Sequence, residues 1–215
     1  MASRNGKRKT REQLTKRRTP KMGYYIIVTD TKETEQNYMV GLRNSIPEER
    51  QGKLVIKVSR AKTVKLVDEA CDLAASLSQY SEPWIVFDRD QVEDFDQIIN
   101  AANSKGIHVG WSNPCIEVWF NAYFGAMPTY QDSVKCCKGF SDAFLQRTGQ
   151  KYKKSDPDIY AKLNRFGDEQ EAIRLAEQKL KQHRRDCNHT PSRMCPCTTV
   201  HELVREIKEK IEKGK

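Results

Sequence analysis

The chain has 215 residues, of which 37% are hydrophobic and 31% are charged, and its formal net charge is +9. This length predicts one domain, or one domain with an appendage, with enough apolar residues for a modest core. No apolar run approaches the roughly 18–20 residues that span a bilayer. The N-terminus also lacks the apolar segment of a secretory signal, so we expect a cytoplasmic protein with no membrane partner.

The first 21 residues are strongly basic. They contain nine Lys or Arg and one acid, Glu12, and so carry +8 of the net charge. Such segments are usually disordered and often bind polyphosphate. We therefore expect residues 1–22 to be a disordered tail that contacts nucleic acid through side chains such as Arg8, Lys9, Arg17 and Arg18. The alternative is a solubilising leader without a partner.

Beyond the tail, short apolar runs alternate with helical patterns. Strands are predicted at 24–29, 53–58, 84–87 and 107–111, and helices at 34–42, 61–77 and 95–104. The apolar positions of the second helix are Val64, Val67, Ala70, Cys71 and Ala74. The alternation of strands and helices favours an α/β fold, a three-layer sandwich with a mostly parallel central sheet.

The second half of the chain is less regular. A break at 112–115 precedes a predicted helix at 116–123, and residues 129–164 are polar and charged in short runs. Helices are predicted at 168–185 and 198–213, with a loop between them. We therefore divide the chain into a tail (1–22), an α/β core (23–127) and a helical C-terminal extension (128–215) that packs on the core.

Two of the predicted strands end abruptly in carboxylates: Asp30 follows the first, and Asp88 and Asp90 follow the third. Because ligands of open α/β sheets bind at the carboxyl ends of strands, these acids are expected to meet at one edge. Asp88 and Asp90 are two residues apart, so on an extended chain they point the same way. Clustered carboxylates resist ionisation, and Mg²⁺, Mn²⁺ or Ca²⁺ would remove that cost. The alternative is that these Asp residues serve only turns and solubility.

Three further residues are candidates for the same edge. Glu35 lies about one helical turn beyond Asp30, and it either caps the first helix or turns into the site. Asn113 and Glu117 follow the fourth strand and could orient water or complete a metal shell. The alternative for Asn113 and Glu117 is an ordinary turn and helix start, with the acid favoured by the helix dipole.

The seven cysteines are an odd number in a chain without an export signal, which indicates reduced thiols. One loop carries Cys187, His189, Cys195 and Cys197, a set with the composition of a Zn²⁺ site. Their spacing is narrower than the usual CxxC pattern, so ordinary loop thiols are the alternative. Cys136 and Cys137 are interpreted as incidental. The sequence shows no P-loop and no Ser-His-Asp arrangement.

Four runs of the sequence resemble, in order, the motifs of RloB-like proteins. Residues 26–38 (IIVTDTKETEQNY) are similar to V-C-E-G-E-x-T-E-x-x-Y, and 86–90 (VFDRD) resemble the second motif. Residues 112–119 (SNPCIEVW) are similar to S-N-P-x-F-E-x-W, and 196–204 (PCTTVHELV) to N-P-S-T-x-V-H-x-L-V.

This resemblance implies a TOPRIM-like fold, in which a Glu after one strand and a DxD after another hold Mg²⁺. Carried over by position, Asp30, Asp88 and Asp90 would be the metal ligands, and Glu35, Asn113 and Glu117 would complete the catalytic set. The chain departs from the pattern in three places: Asp30 replaces the usual Glu, Thr31 replaces Gly, and Tyr123-Phe124 replaces an aromatic–His pair.

The resemblance also implies a function: a Mg²⁺- or Mn²⁺-dependent nuclease of an anti-phage, abortive-infection system. Such an enzyme would cleave DNA or RNA under the control of an ATPase partner, and homo-oligomerisation is left open. Arg89, Lys32 and the tail would hold the phosphates. The alternative is a catalytically weak nucleic-acid-binding or sensor subunit of such a complex. Nucleotidyl transfer, as in primases, is a third reaction for the same fold.

Overall fold

The computed structural model describes residues 22–30, 33–77, 80–90, 92–130 and 132–213. The strands are β1 Gly23–Thr29, β2 Leu54–Arg60, β3 Glu82–Asp88, β4 His108–Asn113 and β5 Cys197–Thr198. The helices are α1 Glu33–Asn44, α2 Glu48–Gln51, α3 Leu66–Ala75, α4 Phe95–Ser104, α5 Glu117–Tyr123, α6 Ser133–Thr148, α7 Ile159–Phe166, α8 Glu169–Arg185 and α9 Val200–Lys213. None of these helices combines the length and apolar character that crossing a bilayer requires.

The five strands form one sheet in the order β2-β1-β3-β4-β5. Strands β1 to β4 are parallel, and β5 is antiparallel to β4. The chain steps outward from β1 to β2 and then crosses back to β3 on the other side of β1. The gap between the carboxyl ends of β1 and β3 is therefore a topological switch point, where open α/β sheets bind their ligands. The predicted three-layer α/β fold with a mostly parallel sheet is confirmed.

Alternate residues of β1 and β3 point to opposite faces of this sheet, and each face has its own buried cluster. The α1/α5 face carries Tyr25, Ile27, Trp84 and Val86, which pack with residues of α1, α5, α6 and α9. The α3/α4 face carries Ile26, Val28, Ile85 and Phe87, which pack with residues of α3 and α4. Because strands buried on both faces carry few polar residues, β1 and β3 are continuous apolar runs, as the sequence indicated.

The C-terminal part of the chain shares the core of the sheet. Helix α6 buries Phe140 and Phe144 in the α1/α5-face cluster, and α9 adds Val200, Val204 and Ile207. The loop predicted at 186–197 ends in β5, which extends the sheet beyond β4. Residues 129–164, which show only short polar runs in the sequence, contain helix α6 and most of α7. Residues on both sides of the predicted boundary after residue 127 thus pack in one cluster. Of the predicted tail at 1–22, residues 1–21 lie outside the described residues.

The predicted helix at 61–77 begins later than the sequence indicated. Residues Thr63–Lys65 form a single 3-10 turn, and α3 begins at Leu66. Val64 is therefore 79% exposed, so the prediction that it lies on the apolar face is wrong. Leu66 and Ala70 bury the helix against the α3/α4 face instead.

Candidate metal centre

Three carboxylates meet where β3 ends, on the α1/α5 face. Asp88 is the last residue of β3, Glu35 lies in the first turn of α1, and Glu117 is the first residue of α5. Their exposed fractions are 5%, 1% and 1%, so all three are withdrawn from water. The negative charges of Glu35 and Glu117 both act on Asp88. We call these three residues the buried acid cluster; it lies beside the switch point of the sheet.

Asp88 is the most perturbed member of the cluster. Burial, the charge of Glu35 with a side-chain hydrogen bond to it, and the charge of Glu117 raise the pKa of Asp88 well above its ordinary value. A backbone hydrogen bond from Ile116 acts in the opposite direction. Within the described residues, the Oδ1 atom of Asp88 is buried without a hydrogen-bond partner. Such an atom costs about 1–3 kcal/mol, so the cluster is unfavourable until a proton or a cation joins it.

Glu117 has polar partners from the segment before α7. The Tyr152 hydroxyl donates a hydrogen bond to Glu117 Oε1 at 3.0 Å, and Lys154 Nζ lies 3.8 Å from the same oxygen. Burial and the Glu117 charge raise the pKa of Tyr152. Sequence reasoning missed Tyr152 and Lys154, because they belong to a polar stretch in which no spacing relates them to the acids.

Asp30 lies on the other face of the sheet. It follows Ile26 and Val28 in the alternation of β1, and its Oδ2 accepts a hydrogen bond of 2.7 Å from Thr63 Oγ1. Thr63 leads into α3, the helix that covers the α3/α4 face. The expectation that Asp30 and Asp88 point into one site is therefore not met by the described contacts. The second acid beside Asp88 is Glu35.

Asp90 does not continue the extended chain of β3. Its φ is +25°, so the rule that residues two apart point the same way does not apply to it. The Ser133 hydroxyl donates to Asp90 Oδ1 at 2.5 Å, which ties Asp90 to the start of α6. The neighbouring Arg89 donates from Nη1 to the Asp90 carbonyl at 3.1 Å, and its Nε is buried without a partner among the described residues.

Asn113 faces the C-terminal segment. Its Nδ2 donates to the carbonyl oxygens of Pro191 and Ser192 at 3.1 and 3.0 Å. These contacts hold the 3-10 turn at Pro191–Arg193 against the end of β4. Asn113 thus positions a neighbouring loop, and no described contact joins its amide to the buried acid cluster.

The remaining predicted binding residues fall into two groups. The basic residues Lys32, Arg8, Lys9, Arg17 and Arg18 lie outside the described residues. The four candidate zinc ligands of the C-terminal loop are described, but no three of their ligand atoms lie within 4.8 Å of one another. Cys187 is exposed and Cys197 is buried, so these two predicted ligands lie in different environments.

The buried acid cluster has the donor chemistry of a hard-cation site. Its three carboxylates offer only oxygen ligands, which suit Mg²⁺ or Mn²⁺. The unpartnered Oδ1 of Asp88 supplies an acceptor that the protein itself does not satisfy. A divalent cation would neutralise the repulsion that raises the pKa of Asp88. The chemistry of these residues therefore fits the metal that the predicted fold implies, although no three of their oxygen atoms lie within 4.8 Å of one another and a single cation would have to draw them closer.

The family model described as RloB-like protein matches residues 25–207, which include every member of the buried acid cluster. No curated protein and no solved structure matches significantly.

Proposed function

The chain belongs to the RloB-like protein family, and we propose that it is a metal-dependent nuclease of an anti-phage defence system. The observation that carries the proposal is the buried acid cluster, which places three carboxylates and an unsatisfied Asp88 oxygen beside the switch point. Burying like charges costs stability, and an arrangement with that cost is typical of functional sites.

In this proposal the reaction is hydrolysis of a phosphodiester. A water oxygen bonds to phosphorus, the bond from phosphorus to the leaving oxygen breaks, and the leaving oxygen takes up a proton. Asp88 would be the primary metal ligand, and Glu35 and Glu117 would complete the shell or orient the water. When bound, Mg²⁺ would supply charge stabilisation, an activated water and help for the leaving oxygen.

Positive groups near the strand ends would bind the phosphates. Arg89 follows Asp88 directly and has a buried Nε donor without a partner among the described residues. An Arg donor can pair with a phosphate oxygen through a charge-assisted hydrogen bond. The basic segment at 1–21 would add affinity that falls with salt, since it carries nine Lys or Arg. An ATPase that restrains or triggers cleavage is the partner we propose.

Calorimetric titration with Mg²⁺ and Mn²⁺ tests the metal site first, because binding depends less on a partner than cleavage does. We expect saturable binding to the wild type that is lost in Asp88→Asn. The matched control is Asp68→Asn, because the Asp68 side chain is 71% exposed and lies in α3, on the other face of the sheet. Binding that survives Asp88→Asn would contradict the proposed site.

Cleavage and protection tests follow on plasmid DNA, single-stranded DNA and tRNA, and against phage in cells. We expect metal-dependent cleavage of at least one substrate and loss of protection in Asp88→Ala. Protection that is intact in Asp88→Ala would refute the nuclease proposal.

A second candidate is a catalytically weak nucleic-acid-binding or sensor subunit. The described hydrogen bond of Asp30 favours it, because this bond joins Asp30 to Thr63 on the α3/α4 face. This candidate predicts salt-dependent nucleic-acid binding without metal-dependent cleavage, even when the ATPase partner is present.

A further inference from the structure

Two thiols lie against the buried acid cluster. Cys115 precedes Glu117 by two residues, and Cys137 lies in the second turn of α6. The two sulfur atoms are 3.9 Å apart. A carboxylate oxygen of Glu117 and these two sulfurs all lie within 4.8 Å of one another. Within the part of the chain that the structure describes, no other three potential ligands are grouped this closely.

The separation of the sulfurs matches a tetrahedral metal site. Zinc–thiolate bonds are about 2.3 Å long, so two thiolates on one tetrahedral zinc lie about 3.8 Å apart. The 3.9 Å between Cys115 and Cys137 therefore needs almost no adjustment. The Glu117 oxygen would need a small side-chain rotation to come to the roughly 2.0–2.2 Å of a zinc–carboxylate bond. Thiolates select soft and borderline metals, so this donor set favours Zn²⁺ over Mg²⁺.

The group already attracts a cation. The Lys154 ammonium lies 3.8 Å from Glu117 Oε1. The Lys154 side chain is 56% exposed, so it can swing into solvent at little cost. A divalent cation would take the place of this ammonium.

An unsatisfied acceptor borders the same group. The charge of Asp88 acts on the Cys115 thiol, which places Asp88 close to it. The Oδ1 atom of Asp88 has no hydrogen-bond partner among the described residues. A buried oxygen without a partner thus lies near Cys115.

We propose that Cys115, Cys137 and Glu117 form a zinc site at the edge of the buried acid cluster. Binding forms two metal–sulfur bonds and one metal–oxygen bond, and the two thiol protons pass to solvent without any change of oxidation state. A fourth position stays open for water. If the nuclease proposal holds, an ion here withdraws Glu117 from the acid cluster, so zinc inhibits cleavage.

Titration of the reduced, metal-stripped full chain with Co²⁺ tests the site without using activity. Cobalt on two thiolates gives sulfur-to-metal charge-transfer absorption and the visible bands of tetrahedral coordination. We expect both signals at one Co²⁺ per chain, their loss in Cys115→Ser and in Cys137→Ser, and their displacement by Zn²⁺. Cys71→Ser is the matched control, since Cys71 is a half-buried thiol on α3.

Lys154→Gln should strengthen Co²⁺ binding, whereas the two cysteine variants should abolish it. Removing the positive charge that lies 3.8 Å from Glu117 Oε1 should tighten Co²⁺ binding, by up to about tenfold. Because Cys137 is only partly buried, Cys137→Ser should fold even where Cys115→Ser does not, and thermal unfolding checks both. Absorption that persists in Cys137→Ser, or that is lost in Cys187→Ser instead, would overturn the proposal.

The inhibitory part is measured separately, as the ratio of cleavage with and without Zn²⁺ in each variant. Zinc should inhibit the wild type at least tenfold more strongly than Cys137→Ser. Cobalt absorption without any cleavage activity would contradict the nuclease proposal and leave the zinc site standing. Equal inhibition of both proteins would overturn the inhibitory role alone.

Discussion

Replacing Asp88 by Asn should stabilise the metal-free protein. Asp88 is 5% exposed and lies beside Glu35 and Glu117, so its charged form is disfavoured and the pKa is raised. Folding near pH 7 therefore costs free energy at this carboxyl group, which must either stay charged in an unfavourable place or take up a proton. Since an ordinary Asp has a pKa of about 3.9, that uptake costs about 1.4 kcal/mol for each of about three pH units, or about 4 kcal/mol at most.

Asn has nearly the shape of a protonated Asp and folds without that cost, and its amide can donate to a neighbouring carboxylate. We expect Asp88→Asn to raise the free energy of unfolding by about 1–4 kcal/mol at pH 7. For a chain of this size, each kcal/mol raises Tm by about 2–4 °C. The measurement is calorimetric unfolding in a chelator, with Asp68→Asn as the control. That exposed residue pairs with Lys105 at 3.2 Å, and its loss should cost less than about 1 kcal/mol.

The stability difference between Asp88→Asn and the wild type should depend on pH in one direction. A group with a raised folded pKa adds stability that is complete below its unfolded pKa and is lost as the pH rises through the folded value. The advantage of Asp88→Asn should therefore be small near pH 4 and should grow toward pH 7. Mg²⁺ should reduce this advantage by stabilising only the wild type, by about 2.7 kcal/mol at a hundred times its Kd. A variant that is less stable than the control at pH 7 in chelator would refute the reasoning.

Four other substitutions test the packing and the titration of the fold. Gly41→Ala should destabilise α1 despite the better helix propensity of Ala, because the new Cβ would lie 2.4 Å from the Tyr160 Cβ. At Gly52 a new Cβ would meet nothing within 4 Å. Gly52→Ala should therefore raise the free energy of unfolding by about 0.4–1 kcal/mol in denaturant titrations. Burial lowers the pKa of His201 to about 4. The free energy of unfolding should therefore fall by up to about 3 kcal/mol as the pH drops from 6.5 to 4. His201→Gln should remove this pH dependence. Phe140→Ala should cost about 3–5 kcal/mol in urea unfolding if α6 belongs to the core, and a cost below 1 kcal/mol would show that α6 is peripheral.

The central sheet could be predicted because its strands are buried on both faces. Residues 24–29 and 84–87 are continuous apolar runs, and they became β1 and β3 with small changes at the ends. Helix α6 could not be predicted in the same way. Its buried Cys136, Phe140 and Phe144 recur every four residues among charged neighbours, so the apolar density stays low. Strand β5 has two residues and depends on pairing with the distant β4, which no local pattern encodes.

Three of the six residues predicted as a site, Asp88, Glu35 and Glu117, lie near one another in the structure, and their roles in metal binding and catalysis stay predictions. Asp30 was expected beside Asp88, because both follow buried strands. A strand alternates its faces, however, and the residue of β1 that shares the face of Asp88 is Thr29, not Asp30. The sequence does not give the register between β1 and β3, and this register decides which side chains lie side by side on one face of the sheet.

The core fixes the helices that carry Glu35 and Glu117, so these acids stay near Asp88 even when their side chains rotate. Glu35 precedes Tyr38 by three residues and Glu117 precedes Phe120 by three, so each acid lies on the same helix face as a fully buried aromatic ring. The two rings pack against each other with centroids 5.5 Å apart, and the Tyr38 and Tyr123 hydroxyls are hydrogen-bonded at 2.8 Å. Moving either helix away would therefore break the contact between α1 and α5. Because the helices keep the acids near one another, their charge must be balanced by a proton or a cation, and a buried acidic site that a cation completes is what metal-dependent phosphoryl chemistry requires.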